Sequence, residues 1–191
     1  ITVGRKRSSD VATSRTRFFD PSCHGGPIGL DKKRTRGASA SCGHDTASPA
    51  LFGGLQEALV RAAHGVECVT ARVDLSTEDA FARIVAAAGD RDIGLYVANA
   101  GGDANASRYL DHALEDWVKL TRVNVLTTMQ ACHHFGTEMR ARRRGGLLIV
   151  NSGACYGGGS FLVTYNACKA FLLNFTEGLW AELRPHGVDV L

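Results

Sequence analysis

Negative charge is missing from the front of this chain: no glutamate occurs before Glu57, and residues 1–50 set four Asp against nine Lys/Arg. The first fifty residues therefore carry a net of +5, and the remainder −2 of the total +3. A composition break of this kind marks a tail, a targeting segment or a foreign piece of sequence. Long hydrophobic runs are also absent. No stretch of eighteen apolar residues is present, so no membrane span is expected. No segment has the basic, apolar, small-residue layout of a secretory signal. The six cysteines, Cys23, Cys42, Cys68, Cys132, Cys155 and Cys168, never form a C-x-x-C pair. Scattered thiols argue against zinc or a disulfide framework and for a reducing, cytoplasmic compartment.

The 191 residues suffice for one domain with a single sizeable core. Residues 1–22 lack both helical and strand periodicity. Their Arg/Ser-rich, acid-poor composition allows an organelle transit reading or a basic arm for nucleic acid. Without an amphipathic Leu pattern or interleaved aromatics, a disordered tail is the expectation for this segment. Cys23–Gly29 is a glycine cluster, but neither a strand before it nor an apolar helix after it is apparent, so it reads as a loop.

From residue 51 the text becomes ordered. Leu55, Leu59 and Ala62 repeat at helical spacing up to Ala63. Residues 67–73 read as a strand, followed by Asp74 and a helix with Ser76 as N-cap and an acidic first turn. Residues 93–97 form a second strand, ending in Ala98-Asn99-Ala100-Gly101-Gly102. A long helix is expected from Leu114 to Arg142, interrupted by nothing stronger than Gly136, and it contains Asn124. A third strand spans 147–151, a helix 164–183, and a fourth strand begins at Val188. Alternating strands and helices with apolar strands predict an α/β fold, a parallel sheet covered on both faces. Ligands of such sheets bind at the strands' carboxyl ends. Asp74, Asn99 and Ser152 all fall there.

The stretch from Ser152 to Lys169 carries the chemistry. Tyr165 and Lys169, four apart on a helix, share one face, and a serine at a neighbouring strand tip can face both. An ammonium beside a phenol favours the phenol's anionic form. That is a layout for moving a proton to or from a hydroxyl or carbonyl oxygen. Each residue also has an ordinary alternative: a half-buried tyrosine, a solvated lysine, a helix asparagine, a loop-capping aspartate. Cys132-His133-His134 is not a chelate, because adjacent helical residues diverge by about 100°. Cys168, beside Lys169, reads as a small core residue rather than a redox group.

Several motifs in order carry a resemblance. Val73-Asp74-Leu75, Asn99-Ala100-Gly101, Val123-Asn124-Val125, Ser152 and Tyr165-x-x-x-Lys169 follow one another at gaps of 25, 25, 28, 13 and 4 residues. Over residues 51–191 the chain resembles the short-chain dehydrogenase/reductase family. The resemblance implies a Rossmann-like doubly wound parallel sheet, here incomplete at both ends, and NAD or NADP as cofactor. It implies that Asp74, Leu75, Asn99, Ala100, Gly101, Tyr165 and Lys169 contact the cofactor. Asn124, Ser152, Tyr165 and Lys169 form the implied catalytic set, with Tyr165 as acid/base, Ser152 orienting the substrate oxygen and Asn124 holding a relay water. The substrate would be a small alcohol or carbonyl compound, and a homo-oligomer would form through the two long helices. The chain departs from the family where Cys23 and Pro27 stand in place of two pyrophosphate-turn glycines. An inactive fragment or relic of that family is the alternative expectation. A binder of anionic surfaces or nucleic acid through residues 1–50 is a third.

Overall fold

The computed structural model describes residues 2–5, 58–59 and 61–191. The 23–29 glycine cluster and nearly all of the basic first fifty residues lie outside the described residues. So does most of the helix expected at 55–63, of which residues 58–59 and 61–64 are helical. The chain divides into two compact units, Ile1–Val3 with Val69–Leu191, and Gly4–Cys68. The parallel sheet and the site described below belong to the first.

Strands β1 (Thr2–Arg5) and β2 (Glu67–Thr70) form a two-stranded sheet. A separate parallel sheet contains β3 (Leu95–Ala98), β4 (Gly145–Ile149) and β5 (Val188–Val190), in that spatial order. Tyr96 lies opposite Leu147, which lies opposite Val190, and Ala98 lies opposite Ile149. Parallel neighbours need crossovers, and helices supply them. The helices are α1 (Ala80–Ala88), α2 (Leu114–Thr121), α3 (Thr127–Arg142) and α4 (Val163–Leu183).

Period-two alternation sorts the strand residues. Tyr96, Ala98, Leu147, Ile149, Val188 and Val190 point to one face, where Ile84 and Ala88 of α1, Ala131, Phe135 and Met139 of α3, and Leu172 and Leu183 of α4 close over them. Met139 and Leu147 are almost completely enclosed. The other face carries Leu95 and Val97, at 59% and 46% exposure, with Val150 and Leu191 also exposed. The sequence predicts cover on both faces. Among the described residues the helices cover one, and the apolar strands are filled by partners on that side only.

Thr2–Arg5 is a strand where no strand period was expected, and the strand expected at 67–73 spans only Glu67–Thr70 and pairs with it instead of joining the parallel sheet. Three further local details differ from the sequence reading, each for a side-chain reason. Ser76 does not cap a helix. Asp74 Oδ1 accepts from both Ser76 N (2.9 Å) and Ser76 Oγ (2.7 Å), so residues 74–77 close an Asx turn, and α1 begins later, at Ala80. The helix expected across 114–142 contains a π turn at Arg122–Leu126. Asn124 Nδ2 donates to Leu120 O at 2.9 Å, the carbonyl that a regular α-helix assigns to the Asn124 amide. Gly136 leaves the helix intact and sits buried against Leu147 and Leu183. The basic run 140–144 is partly engaged at the amino end of the sheet, where Arg142 and Arg144 both pair with Asp92 at 2.7 and 2.5 Å.

Cys132 is buried, His133 is exposed, and His134 is half-buried beside Glu138. Among the described residues no group of three metal-binding side chains occurs, and no helix is long and apolar enough to cross a membrane.

Because Met139 is fully enclosed in the one core face filled among the described residues, Met139→Ala is expected to cost about 2–5 kcal/mol. Leu95→Ala, on the open face, is expected to stay within about 1 kcal/mol, and urea denaturation of the two variants checks the contrast. Burial pushes the Cys132 thiol up from 9.0 to about 12. The folded state thus keeps the thiol protonated, so its contribution is whole below pH 9.0 and disappears as pH rises through about 12. Urea midpoints measured between pH 8 and 11 should fall less steeply in Cys132→Ala than in the parent chain.

Candidate active site

The carboxyl ends of β3 and β4 lie side by side: Val150 N donates to Ala98 O at 2.9 Å. Past Ala98 the chain turns through exposed Asn99, Ala100 and Gly101 to Gly102. Past Val150 it reaches Asn151 and Ser152. Ser152 Oγ accepts from Ala154 N at 3.3 Å and so opens a 3-10 turn over Gly153–Tyr156. That turn packs on the start of α4, the helix that holds Tyr165 and Lys169.

Lys169 is 5% exposed. Its Nζ donates to Val150 O at 3.1 Å and lies 5.7 Å from the centroid of the Tyr165 ring. An ammonium has three N–H donors. Among the described residues only this one hydrogen bond engages them, and no carboxylate pairs with the charge. A nearly buried cation with two unused donors is a site shaped for hydroxyl oxygens or another neutral acceptor.

Asn124 clamps the turn on the other side. Its Oδ1 accepts from Gly102 N at 3.0 Å, and its Nδ2 donates to Gly102 O at 2.9 Å and to Leu120 O at 2.9 Å. Both amide protons are thus committed to backbone carbonyls. Gly101 passes so close that a Cβ there would stand 2.7 Å from Asn124 Oδ1 and 3.8 Å from Lys169 Nζ. A side chain at 101 would force Asn124 to move.

The structure therefore brings Gly101, Asn124, Tyr165 and Lys169 together. Tyr165 is half-buried against Trp117, Leu120, Val125 and Cys168. Ser152 is near in the chain path, but among the described residues no hydrogen bond joins it to Tyr165 or Lys169. Asp74 is exposed and makes no contact with this group. Its carboxyl is held below the ordinary carboxylate range, first by the Ser76 backbone N–H and then by the Ser76 hydroxyl. Leu75 packs at the core margin, and its carbonyl accepts from Thr127 Oγ1 at 3.4 Å. Burial raises the Cys168 thiol, outweighing the lowering by Thr121 and Lys169, so this cysteine is not a ready thiolate. A cleft of about 560 Å³ opens between Gly101–Asn105 and the Lys119–Val123 side of the helix, and none of Ser152, Tyr165 or Lys169 lines it.

Sequence reading overlooked three contributors. Val150 supplies a main-chain carbonyl, for which no side-chain signal exists. Gly102 is the partner of Asn124, recognisable only as the residue after Asn99-Ala100-Gly101. Asn166 is buried and donates from Nδ2 to Gly157 O at 2.8 Å, tying the loop ahead of Tyr165 to α4. Its adjacency to Tyr165 was the available hint.

Asn124→Asp keeps the shape but replaces both N–H donors with an oxygen facing two carbonyls. It should destabilise the fold by about 1–3 kcal/mol and accelerate hydrogen exchange at the Gly102 amide. Denaturation and exchange mass spectrometry measure both.

Comparison with known proteins follows the same lines. The family described as short chain dehydrogenase matches residues 52–191. The chain is 32% identical over 130 residues to the very-long-chain 3-oxoacyl-CoA reductase of Laccaria bicolor, covering 66% of this chain and 38% of that protein. It is 32% identical over 142 residues to the 7beta-hydroxysteroid dehydrogenase of Clostridium sardiniense, covering 71% of this chain and 52% of that protein. A metagenomic short-chain oxidoreductase solved in complex with NADP superposes with a TM-score of 0.62 at 29% identity, over 69% of this chain and 59% of the other. The chain thus spans about half the length, or less, of the curated relatives it matches. Ordered motifs, parallel sheet and family match agree: this chain belongs to the short-chain dehydrogenase family.

Proposed function

We propose that this chain carries the catalytic part of an NAD(P)-dependent oxidoreductase that interconverts an alcohol and a carbonyl compound, with Tyr165 as acid/base. The observation that carries this reading is the buried Lys169 ammonium, anchored on Val150 O beside Tyr165, with two donors left over. The described residues at the carboxyl edge of the sheet fit the nicotinamide ribose of a dinucleotide. Lys169 would bind the hydroxyls of the nicotinamide ribose. The backbone of Asn99, Ala100 and Gly101, kept free of bulk at Gly101, would bound the cofactor along the sheet end, where ligands of open α/β sheets bind. Asp74 and Leu75 would meet the adenine, the Asp74 carboxylate accepting its amino protons. The bound cofactor supplies or accepts the hydride at the substrate carbon.

The chain's own residues handle the proton. In the reducing direction Tyr165 Oη gives its proton to the carbonyl oxygen, and in the oxidising direction it takes the proton of the alcohol. The Lys169 charge stabilises the negative charge left on Tyr165 as that proton departs. Ser152 Oγ, already fixed by its bond from Ala154 N, would hydrogen-bond the same substrate oxygen and orient it. Asn124 acts as a positioning residue: with both amide protons on backbone carbonyls, it fixes Gly101 and Gly102 against Lys169. A relay water on Asn124 would use the remaining acceptor capacity of Oδ1.

The alternative reading is a member that no longer turns over: the resemblance aligns Cys23 and Pro27 with positions where a pyrophosphate turn needs glycine for close backbone approach. Self-association is proposed through the two long helices, α3 and α4, on the second of which Phe171 and Trp180 are exposed. A soluble, cytoplasmic setting is proposed on the scattered free thiols.

The test is cofactor binding followed by turnover. NADPH or NADH should raise the melting temperature, and absence of any shift with both would sink the enzymatic reading. Tyr165→Phe should cut kcat by about 10²–10⁴-fold with the cofactor-induced melting shift retained. Loss of both together would assign Tyr165 to structure rather than to proton transfer.

A further inference from the structure

Charge is scarce where the segments of the site meet. Across residues 99–107 and 145–168 the only charged side chain is Asp103. No step of the proton transfer uses it. Asp103 follows directly on Gly102, whose N–H and C=O are both held by the Asn124 side chain. Gly101, one residue before that, runs so near Lys169 that a Cβ there would lie 3.8 Å from Nζ. The backbone that carries Asp103 is thereby fixed at the Lys169 end of the turn.

Only one oxygen of the carboxylate is engaged. Oδ1 accepts from Asn105 N at 2.8 Å and from Ala106 N at 3.1 Å, closing an Asx turn in which Ala106 takes φ +43. Oδ2 is buried with no hydrogen-bond partner among the described residues. A buried oxygen without a donor costs free energy unless something compensates. A cation within electrostatic reach does so, and Lys169 is a cation with the converse need. It is 5% exposed, and among the described residues no carboxylate forms an ion pair with it. The Cys168 thiol, next to Lys169, registers both charges. Burial raises it first, Thr121 and Lys169 lower it, and Asp103 raises it again. One thiol thus lies in the field of the ammonium and of the carboxylate together.

The elements packed on this part of α4 bring Asp116 and Lys119 from α2, Arg122 from the π turn, and Cys155 and Tyr156 from the turn after Ser152. Asp116 pairs with His112 at 3.4 Å, Arg122 pairs with Glu78 at 3.2 Å, and Lys119 and Tyr156 are exposed. Of these groups Asp103 alone is a half-buried anion with no ion-pair partner among the described residues.

We propose that Asp103 is a positioning residue that sets how readily the Tyr165–Lys169 couple gives up its proton, its carboxylate counterbalancing the buried ammonium from the turn that Asn124 clamps. This rests on the oxidoreductase reading above and adds a residue to it. The sign follows from charge alone. The ammonium favours the anionic form of Tyr165, and a carboxylate in the same field opposes it.

The informative variant is Asp103→Asn in the full chain, because asparagine closes the same Asx turn without the charge. Its melting temperature should stay within about 4 °C of the parent. Should it fail to fold, Asp103→Ser, which also offers the turn an acceptor, takes its place. Two measurements follow the charge. With cyclohexanol and saturating oxidised NADP or NAD, the ascending limb of kcat against pH should move to lower pH. At a fixed pH on that limb Asp103→Asn should turn over about three- to tenfold faster than the parent. The second measurement needs neither cofactor nor turnover. The ultraviolet absorbance of the Cys168 thiolate, taken as the difference from a Cys168→Ala chain, should appear at lower pH in Asp103→Asn than in the parent. A thiolate that appears at the same pH in both overturns the proposal, and so does an unmoved limb when the thiolate moves. Asp103→Glu retains the charge and should keep the limb of the parent; if it behaves as Asp103→Asn does, turn geometry and not charge is responsible, and the proposal falls. It falls equally if Asp116→Asn, on the same cleft, moves the limb as far. If the parent binds no cofactor and oxidises nothing, the oxidoreductase reading falls, and the thiolate alone decides whether the Asp103 charge acts on this end of α4.

Discussion

The hydrogen bond from Lys169 Nζ to Val150 O is the contact on which the rest of the site depends. A cation taken out of water costs several kcal/mol unless partners compensate. Here one carbonyl and the face of Tyr165 are what the described protein provides. The same Val150 peptide gives its N–H to Ala98 O, so one residue links α4 to β4 and β4 to β3. Gly101 then falls within reach of the ammonium, and Asn124 closes on Gly102. An under-coordinated buried charge is thermodynamically awkward, and it is also the reason the pocket has a use for a ligand with hydroxyl groups.

The sheet imposes a second constraint. Period-two alternation gives every strand two faces, and among the described residues packing has filled only one of them in the parallel sheet. The face with Tyr96, Leu147 and Val190 is dense. The face with Leu95 and Val97 is open. The site belongs to the well-packed side: α3 and α4, which hold Asn124's π turn in place and carry Tyr165 and Lys169, are the helices that cover it. Geometry at the carboxyl edge is thereby supported by the strongest part of the core.

Stability and chemistry pull apart at identifiable residues. Asn124 displaces a regular helical hydrogen bond and leaves a π turn, and its side chain gains a two-way clamp on a turn twenty-two residues earlier. Phe161 occupies a backbone conformation glycine would fill more comfortably. Asp74 folds its own turn onto Ser76 instead of letting Ser76 cap α1. Asp74 and the turn that Asn124 grips follow the carboxyl end of a strand, and Phe161 stands just ahead of α4.

That division explains what could be read without coordinates. The alternation of strands and helices from residue 80 onward, the parallel sheet they build, the span of α4 and the co-facial Tyr165 and Lys169 were determined by sequence alone, whereas the strand at Thr2–Arg5 and its pairing with Glu67–Thr70 were not. Hydrophobic period and i,i+4 spacing are local, and a few neighbouring residues suffice to encode them. Tertiary structure alone decided which sheet face is covered among the described residues, that Val150 O accepts the hydrogen bond of Lys169 Nζ, that Asn124 grips Gly102 rather than standing free, and that Phe161 takes φ +67. Each of these depends on where a distant backbone atom comes to rest. Such atoms carry no side-chain signature, and their positions are set by packing over the whole core.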